Sequence, residues 1–229
     1  GTSAPEFAVT VSAALRGQSN ISVGNVVGSN IFNLGFILGG CVLFRELTTN
    51  RRLVYRDGFL LIAVTLLLVF FMWDNHLARW EGMVLFSGLI AYVALLLFKR
   101  ESVDDEEIPE GEASWKDLLF LLLGIAGVVG GGHFLVHSAS NIARLMSVSE
   151  WVIAVTVVAA GTSAPEFATS LMAAHKGRAG ISMGNLIGSD LFNLMGVLGL
   201  AGILRPMAVD EASRSSVLML VGMCVLVVI

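Results

Sequence analysis

The chain repeats itself. The stretch GTSAPEFAVTVSAALRGQSNISVGNVVGSNIFNLGFILGG at residues 1–40 returns as GTSAPEFATSLMAAHKGRAGISMGNLIGSDLFNLMGVLGL at residues 161–200. The offset is 160 throughout, without a gap, and 22 of the 40 positions are identical. Shared composition does not place GTSAPEF and GN..GS..FN twice in register. The chain is the product of a duplication, and its fold has to seat two like units.

Both units lie in apolar sequence. Of the 229 residues 55% are hydrophobic and 14% charged, with a mean hydropathy of +0.81. A soluble domain carries about 25% charged residues, so this chain could not cover a globule of its size with polar surface. Its apolar blocks are long enough to cross a bilayer, which takes roughly 20 helical residues. The expected class is an all-α membrane protein in contact with lipid, with no nucleic-acid partner.

Spans are expected near 21–44, 58–73, 80–98, 117–143, 150–175 and 180–204. Shorter apolar pieces begin at Gly1 and end at Ile229, and Ser213–Ile229 reads as an unfinished span. Trp73, Trp80, Trp115 and Trp151 all fall at span edges, where interfacial anchors sit. Cys41 and Cys224 lie inside apolar segments and read as small packing residues rather than a disulfide or a metal pair.

Loops on one side carry Arg45, Arg51, Arg52, Arg56, Lys99, Arg100, Lys116, Lys176 and Arg178. The other side has only Arg16, Arg79, Arg144, Arg205 and Arg214, so the positive-inside rule puts the first set in the cytoplasm. The run ESVDDEEIPEGE at 101–112 joins two spans on that side. A solvated linker is the expected reading, since blocks of like charge stay disordered; a Ca2+-sensing or regulatory loop is the sharper alternative. This divides the chain into a first repeat over 1–98, an acidic cytoplasmic loop over 99–116 and a second repeat over 117–229.

Four complete spans separate the first GTSAPE helix from the second, so the second is the fifth crossing after the first. An odd number of crossings reverses direction. The copies are therefore expected to be antiparallel, as in inverted-repeat transporters, whose substrate site lies where the halves meet.

The repeated residues have a definite chemistry. Pro5 and Pro165 lack an N–H and break or kink their helices. Carbonyls just upstream, near Gly1 and from Ala159 to Gly161, then lose helical partners and must be satisfied by protein, water or an ion. Thr2, Ser3, Thr162 and Ser163 add hydroxyls at the same breaks. Glu6 and Glu166 put one carboxylate in each copy, and an acidic side chain at mid-membrane costs about 2.5–3.5 kcal/mol on insertion scales. Two such groups call for a cation.

On the following helix Asn25, Ser29 and Asn33 are spaced i, i+4, i+8 and share one stripe, as do Asn185, Ser189 and Asn193. Gly24, Gly28, Gly184 and Gly188 supply small positions for close helix approach. Ion contact is expected of Ser29, Asn33, Ser189 and Asn193; Asn25 and Asn185 serve equally well as interhelical glue. All these donors are oxygens. Ca2+ takes six to eight oxygens in flexible geometry, whereas zinc prefers nitrogen and sulfur. Two carboxylates neutralise one Ca2+ or host Na+ ions in its place, which describes an exchanger.

GTSAPE followed by GN..GS..FN, present twice, resembles the alpha repeats of the cation/Ca2+ exchanger superfamily, most closely its prokaryotic Na+/Ca2+ exchangers. The resemblance runs from residue 1 to 229. It implies a fold of ten helices in two inverted halves, of which about eight helices or part-helices are present. The first helix, half of the second and the last are missing. It implies a secondary antiporter exchanging Ca2+ for Na+ by alternating access, in a prokaryotic inner membrane, with no cofactor and no catalysis.

Residue by residue, it implies ion ligands at Thr2, Ser3, Glu6, Ser29 and Asn33, and at Thr162, Ser163, Glu166, Ser189 and Asn193, joined by the Ala159 carbonyl. In the K+-dependent branch the position of Asn193 is typically aspartate, so Asn193 argues against K+ co-transport. Asp190 departs from the repeat, where Asn30 stands in the first copy; it lines the pathway, pairs elsewhere or joins the ligands.

Other readings are a Ca2+/H+ antiporter or a K+-dependent Na+/Ca2+ exchanger on the same scaffold. An intramembrane hydrolase would need a histidine base beside Ser3 or Ser163, and the duplication supplies none. His133 and His137, four residues apart, read as a polar helix face.

Overall fold

The structure, a computed structural model, describes residues 2–44, 53–99 and 147–228, with scattered positions between 114 and 145. The acidic run 101–112, Arg45, Arg51, Arg52, Arg100, His133, Arg144 and most of the expected span 117–143 lie outside the described residues.

Helix α1 (Ala4–Leu15) carries Pro5 in its first turn. An early proline is tolerated there because those N–H groups have no intrahelical partner. The helix stops at Gly17, whose φ of +77° is open to glycine at little cost. Gly17 N donates to the Ala14 carbonyl and Gln18 N to that of Ala13, both at 2.9 Å.

Helix α2 (Ser19–Phe32) continues through a π-helical turn, Asn33–Leu38, into α3 (Gly39–Phe44). A second wide turn, Leu53–Gly58, opens α4 (Phe59–Phe71), and α5 (Arg79–Lys99) follows. In the second copy α6 (Glu150–Ile153) leads through a π turn at Ala154–Val158 into α7 (Ala159–Thr162). The chain then breaks at Ser163 and bends by 50° into α8 (Ala164–His175), which ends at Gly177 with the same φ of +77°. Helix α9 (Ala179–Leu191), a π turn at Phe192–Val197, α10 (Leu198–Leu204) and α11 (Ala212–Val228) complete the described chain.

Ser19–Leu43, Tyr55–Asp74, Arg79–Phe98 and Gly180–Leu204 are each long and apolar enough to cross a bilayer, and the bent pair α6–α7 and α8 together makes a fifth such span. These are the expected spans to within a few residues. They do not share the core equally: 78% of the apolar window in Gly180–Leu204 is buried but only 17% of that in Arg79–Phe98. The central helices carry the polar motifs, and α5 presents Met83, Ile90, Val93 and Leu97 outward.

The inversion is visible in the packing. Helix α1 runs beside α10, while its counterpart α8 runs beside α3. The ends of α1, α4 and α10 and the starts of α5 and α11 meet on one face. There β1 (His76–Leu77) pairs antiparallel with β2 (Met207–Ala208), a small departure from the all-helical expectation. Asn20 and Asp210 exchange two hydrogen bonds beside it, at 3.1 and 3.0 Å. Arg205 donates to the Leu15 carbonyl at 3.0 Å, and Arg214 donates to the Trp73 carbonyl at 2.7 Å while its guanidinium covers the Trp73 ring.

Of the four tryptophans, Trp73, Trp80 and Trp115 are exposed as anchors should be, but Trp151 is not. It is buried, donates to Ser216 Oγ at 3.3 Å and lies against Gly24, so it serves as a packing residue at a helix start. Cys41 and Cys224 are buried free thiols, as expected.

Candidate functional site

The start of α1 and the break between α7 and α8 face each other. Ser3 and Ser163 occupy the N-cap positions of α1 and α8, where a serine side chain usually accepts a bond from its own helix. Neither does. Ser3 Oγ donates to Glu166 Oε1 at 3.0 Å, and Ser163 Oγ donates to Glu6 Oε1 at 3.1 Å. Each copy holds the carboxylate of the other. The helices give up a side-chain cap, each worth about 1 kcal/mol, and the hydroxyls go to the site.

The threonines repeat the exchange. Thr162 Oγ1 donates to Asn25 Oδ1 at 3.0 Å and lies 3.2 Å from Ser29 Oγ. Thr2 Oγ1 donates to Asn185 Oδ1 and meets Ser189 Oγ, both at 3.4 Å. Asn25 Nδ2 in turn donates to Thr10 Oγ1 at 3.0 Å, and Asn185 Nδ2 to Ser170 Oγ at 3.1 Å. The Asn25 and Asn185 amides are thus committed to protein partners, as interhelical glue.

Lower on the stripe, Asn33 Nδ2 donates to Asp190 Oδ1 at 2.8 Å and Asn193 Nδ2 to Asn30 Oδ1 at 3.3 Å. Both asparagines sit where the helix widens into its π turn, at Asn33–Leu38 and Phe192–Val197. Such turns are frequent at functional positions.

The leftover atoms define what the site can do. Glu6 Oε2, Glu166 Oε2, Asn33 Oδ1, Asn193 Oδ1 and Asp190 Oδ2 are all buried without a hydrogen-bond partner. Every one is an acceptor oxygen. Glu6, Glu166 and Asp190 are fully buried, and the Arg56–Asp57 ion pair lies elsewhere. An uncompensated buried carboxylate costs several kcal/mol. A hard cation satisfies both requirements at once: it supplies charge and accepts oxygen lone pairs. Among the described residues no three His, Cys, Asp or Glu side chains form a metal cluster, so a cation held here would take hydroxyl and amide oxygens as well.

The residues expected to bind the ion come together here. Thr2, Ser3, Glu6, Ser29, Asn30 and Asn33 contact Ser189, Glu166, Ser163, Thr162, Asp190 and Asn193 across the repeat interface. The Ala159 carbonyl lies at the break but accepts from Ser163 N at 3.0 Å and Thr162 Oγ1 at 3.1 Å. Pro165 has no N–H to offer the Gly161 carbonyl four residues upstream. His137 stands apart, exposed and bonded to Asn141 at 3.2 Å. Neither site serine has a histidine partner among the described residues. Thr10 and Ser170 were not singled out in advance, although both copies keep a hydroxyl four residues after the glutamate.

The halves differ in enclosure. A Cβ on Gly28 would come within 2.5 Å of the Val155 carbonyl oxygen and 2.8 Å of Ala159 Cβ, whereas one on Gly188 meets nothing within 4 Å. A cavity of about 510 Å³ lies on that second side, lined by Thr2, Ser3, Asn185, Gly188, Ser189 and Phe192.

Known proteins are similar to this chain. The profile of the family described as sodium/calcium exchanger protein matches residues 1–98 and 116–229. The sodium/calcium exchanger MaX1 of Methanosarcina acetivorans is 30% identical, the match covering 93% of this chain and 73% of that protein. The inner membrane protein YrbG of Escherichia coli is 33% identical, over 97% of this chain and 73% of its own length. The solved structure of the sodium-calcium exchanger NCX_Mj superposes with a TM-score of 0.77 at 26% identity, covering all of this chain and 74% of that one.

Proposed function

The chain belongs to the sodium/calcium exchanger protein family of membrane antiporters, and we propose that it carries Ca2+ across the membrane in exchange for Na+ through the site built by its two repeats. One observation carries the reading: Ser3 holds Glu166, Ser163 holds Glu6, and each glutamate keeps a second oxygen without a protein partner. Two carboxylates balance one Ca2+. The same oxygens, with Thr2, Thr162, Ser29, Ser189, Asn33, Asn193 and the Ala159 carbonyl, accommodate Na+ ions when Ca2+ has left. Asp190 and Asn30 act at the edge of this set.

Exchange through one site requires that it open to each side in turn. The breaks at Pro5 and Pro165 hold the ions while outer helices move over the core, the face bearing the β1–β2 contact being external and the face bearing Arg56, Lys176 and Arg178 cytoplasmic. The 99–116 loop then lies in the cytoplasm of a prokaryotic cell, outside the inner membrane's apolar layer. If more than two Na+ replace one Ca2+, charge moves each cycle and transport responds to voltage, at about 2.3 kcal/mol per charge per 100 mV.

The test is Ca2+ uptake by the reconstituted protein with Glu6→Gln and Glu166→Gln. Both variants should be inactive while remaining monodisperse in detergent; near-normal flux in either refutes the site. A Ca2+/H+ antiporter on the same glutamates is distinguished by uptake that persists without Na+.

A further inference from the structure

Among the residues expected to meet the ion the repeats differ only at Asp190, which stands where the first copy has Asn30. We propose that Asp190 is a positioning residue whose side chain turns the Asn33 amide so that its oxygen, not its nitrogen, faces the transported cation; the proposal rests on the ion site described above.

An amide side chain can present either end to an ion, and only the oxygen end is useful to a cation. A carboxylate offers acceptors alone, so it can receive only the nitrogen of a neighbouring amide. Asn33 Nδ2 donates to Asp190 Oδ1 at 2.8 Å, the shortest amide bond in the site, and Asn33 Oδ1 is left buried and unpartnered. The orientation of Asn33 follows from the chemistry of Asp190.

The second asparagine is turned by a longer route that starts at the same residue. Asn30 Nδ2 donates to the Asp190 backbone carbonyl at 3.1 Å. That commits the nitrogen of Asn30 and leaves its Oδ1 to accept from Asn193 Nδ2 at 3.3 Å, so that Asn193 Oδ1 is the free end. Asp190 therefore sets Asn33 through its side chain and Asn193 through its main chain. All four residues are fully buried, so in this state water does not compete for either bond.

The two routes separate under mutation. Removing the carboxylate frees Asn33 but leaves the main-chain carbonyl that holds Asn30 and hence Asn193. Asparagine at this position still offers an oxygen to Asn33, as Asn30 does to Asn193.

The experiment is Ca2+ uptake by the reconstituted protein, with KM and maximal rate measured for D190A, D190N, N33A, N193A and the doubles D190A/N33A and D190A/N193A, alongside E6Q. D190A is expected to raise the Ca2+ KM roughly tenfold with little change in maximal rate, and D190N to recover most of that loss. D190A/N33A should be no worse than N33A by more than about twofold, while the effects of D190A and N193A should multiply. Multiplicative effects of D190A and N33A, a D190N as impaired as D190A, or an unchanged KM in D190A would each overturn the proposal. An E6Q protein that still transports would instead overturn the ion site on which it rests. D190N keeps the question answerable should D190A not fold.

Discussion

Ser3 donates its hydroxyl to Glu166 at 3.0 Å, across an interface between residues 163 positions apart, in place of capping the helix it begins. Ser163 does the same for Glu6. The exchange couples the start of α1 to the broken helix α7–α8 through the groups that would hold the ion. Removal of either hydroxyl should therefore act on affinity more than on folding. A hydrogen bond to a charged group contributes about 1.5–3 kcal/mol. Ser3→Ala and Ser163→Ala should each raise the KM for Ca2+ by roughly ten- to a hundredfold, and by similar factors because the two bonds are equivalent. Initial rates of uptake against Ca2+ concentration measure this; a large effect in one variant alone would contradict the symmetry.

Thr10 supports the site from one residue further out. It receives Asn25 Nδ2 at 3.0 Å, and Asn25 in turn receives Thr162. Thr10→Val leaves a buried amide hydrogen with only a long bond to the Glu6 carbonyl, at 3.4 Å. It should lower stability by about 1–3 kcal/mol, read as a fall in Tm in detergent. Ser170→Ala should cost less, since Asn185 is only half-buried.

Much of this was legible in the sequence because duplication makes its own control. Glu6 and Glu166 stand out as buried acids precisely paired at an offset of 160, and the span count between them gives the inversion that the packing of α1 on α10 and α8 on α3 displays. Thr10 and Ser170 escaped notice because threonine and serine differ in name while keeping the same hydroxyl. The π turns at Asn33 and Phe192 were not legible at all. They arise from tertiary fit of the central helices, and the i, i+4, i+8 spacing reads the same with or without them. Trp151 misled for a related reason: its place at a helix start is an anchor's place, but its burial against Gly24 depends on a neighbour far away in the chain.

Gly28 lies against the Val155 main chain at the point where the first repeat's stripe meets the second repeat's broken helix. Backbone cannot move aside as a side chain can. Gly28→Ala should destabilise the protein by about 1–3 kcal/mol or more and lower the yield of monodisperse protein. A Tm equal to that of the unmodified protein would show that α2 and the Ala154–Val158 turn are not in such close contact.

Ion choice should depend on Asn193. Its amide oxygen is neutral, and Asn193→Asp would add a fourth carboxylate beside Glu6, Glu166 and Asp190. The added charge should create a response to K+, seen as uptake stimulated by external K+ in the variant but not in the unmodified protein. An unchanged K+ response would remove Asn193 as the determinant.

The central claim is that one site serves Ca2+ and Na+ in turn. It is tested most directly by loading liposomes containing the protein with Na+, diluting them into Na+-free buffer, and following radiolabelled Ca2+ uptake with the pH gradient collapsed and with K+ present or absent. Uptake that requires internal Na+ and ignores K+ is the predicted result. Uptake driven only by an imposed pH gradient, or no Ca2+ movement under either gradient, would contradict it.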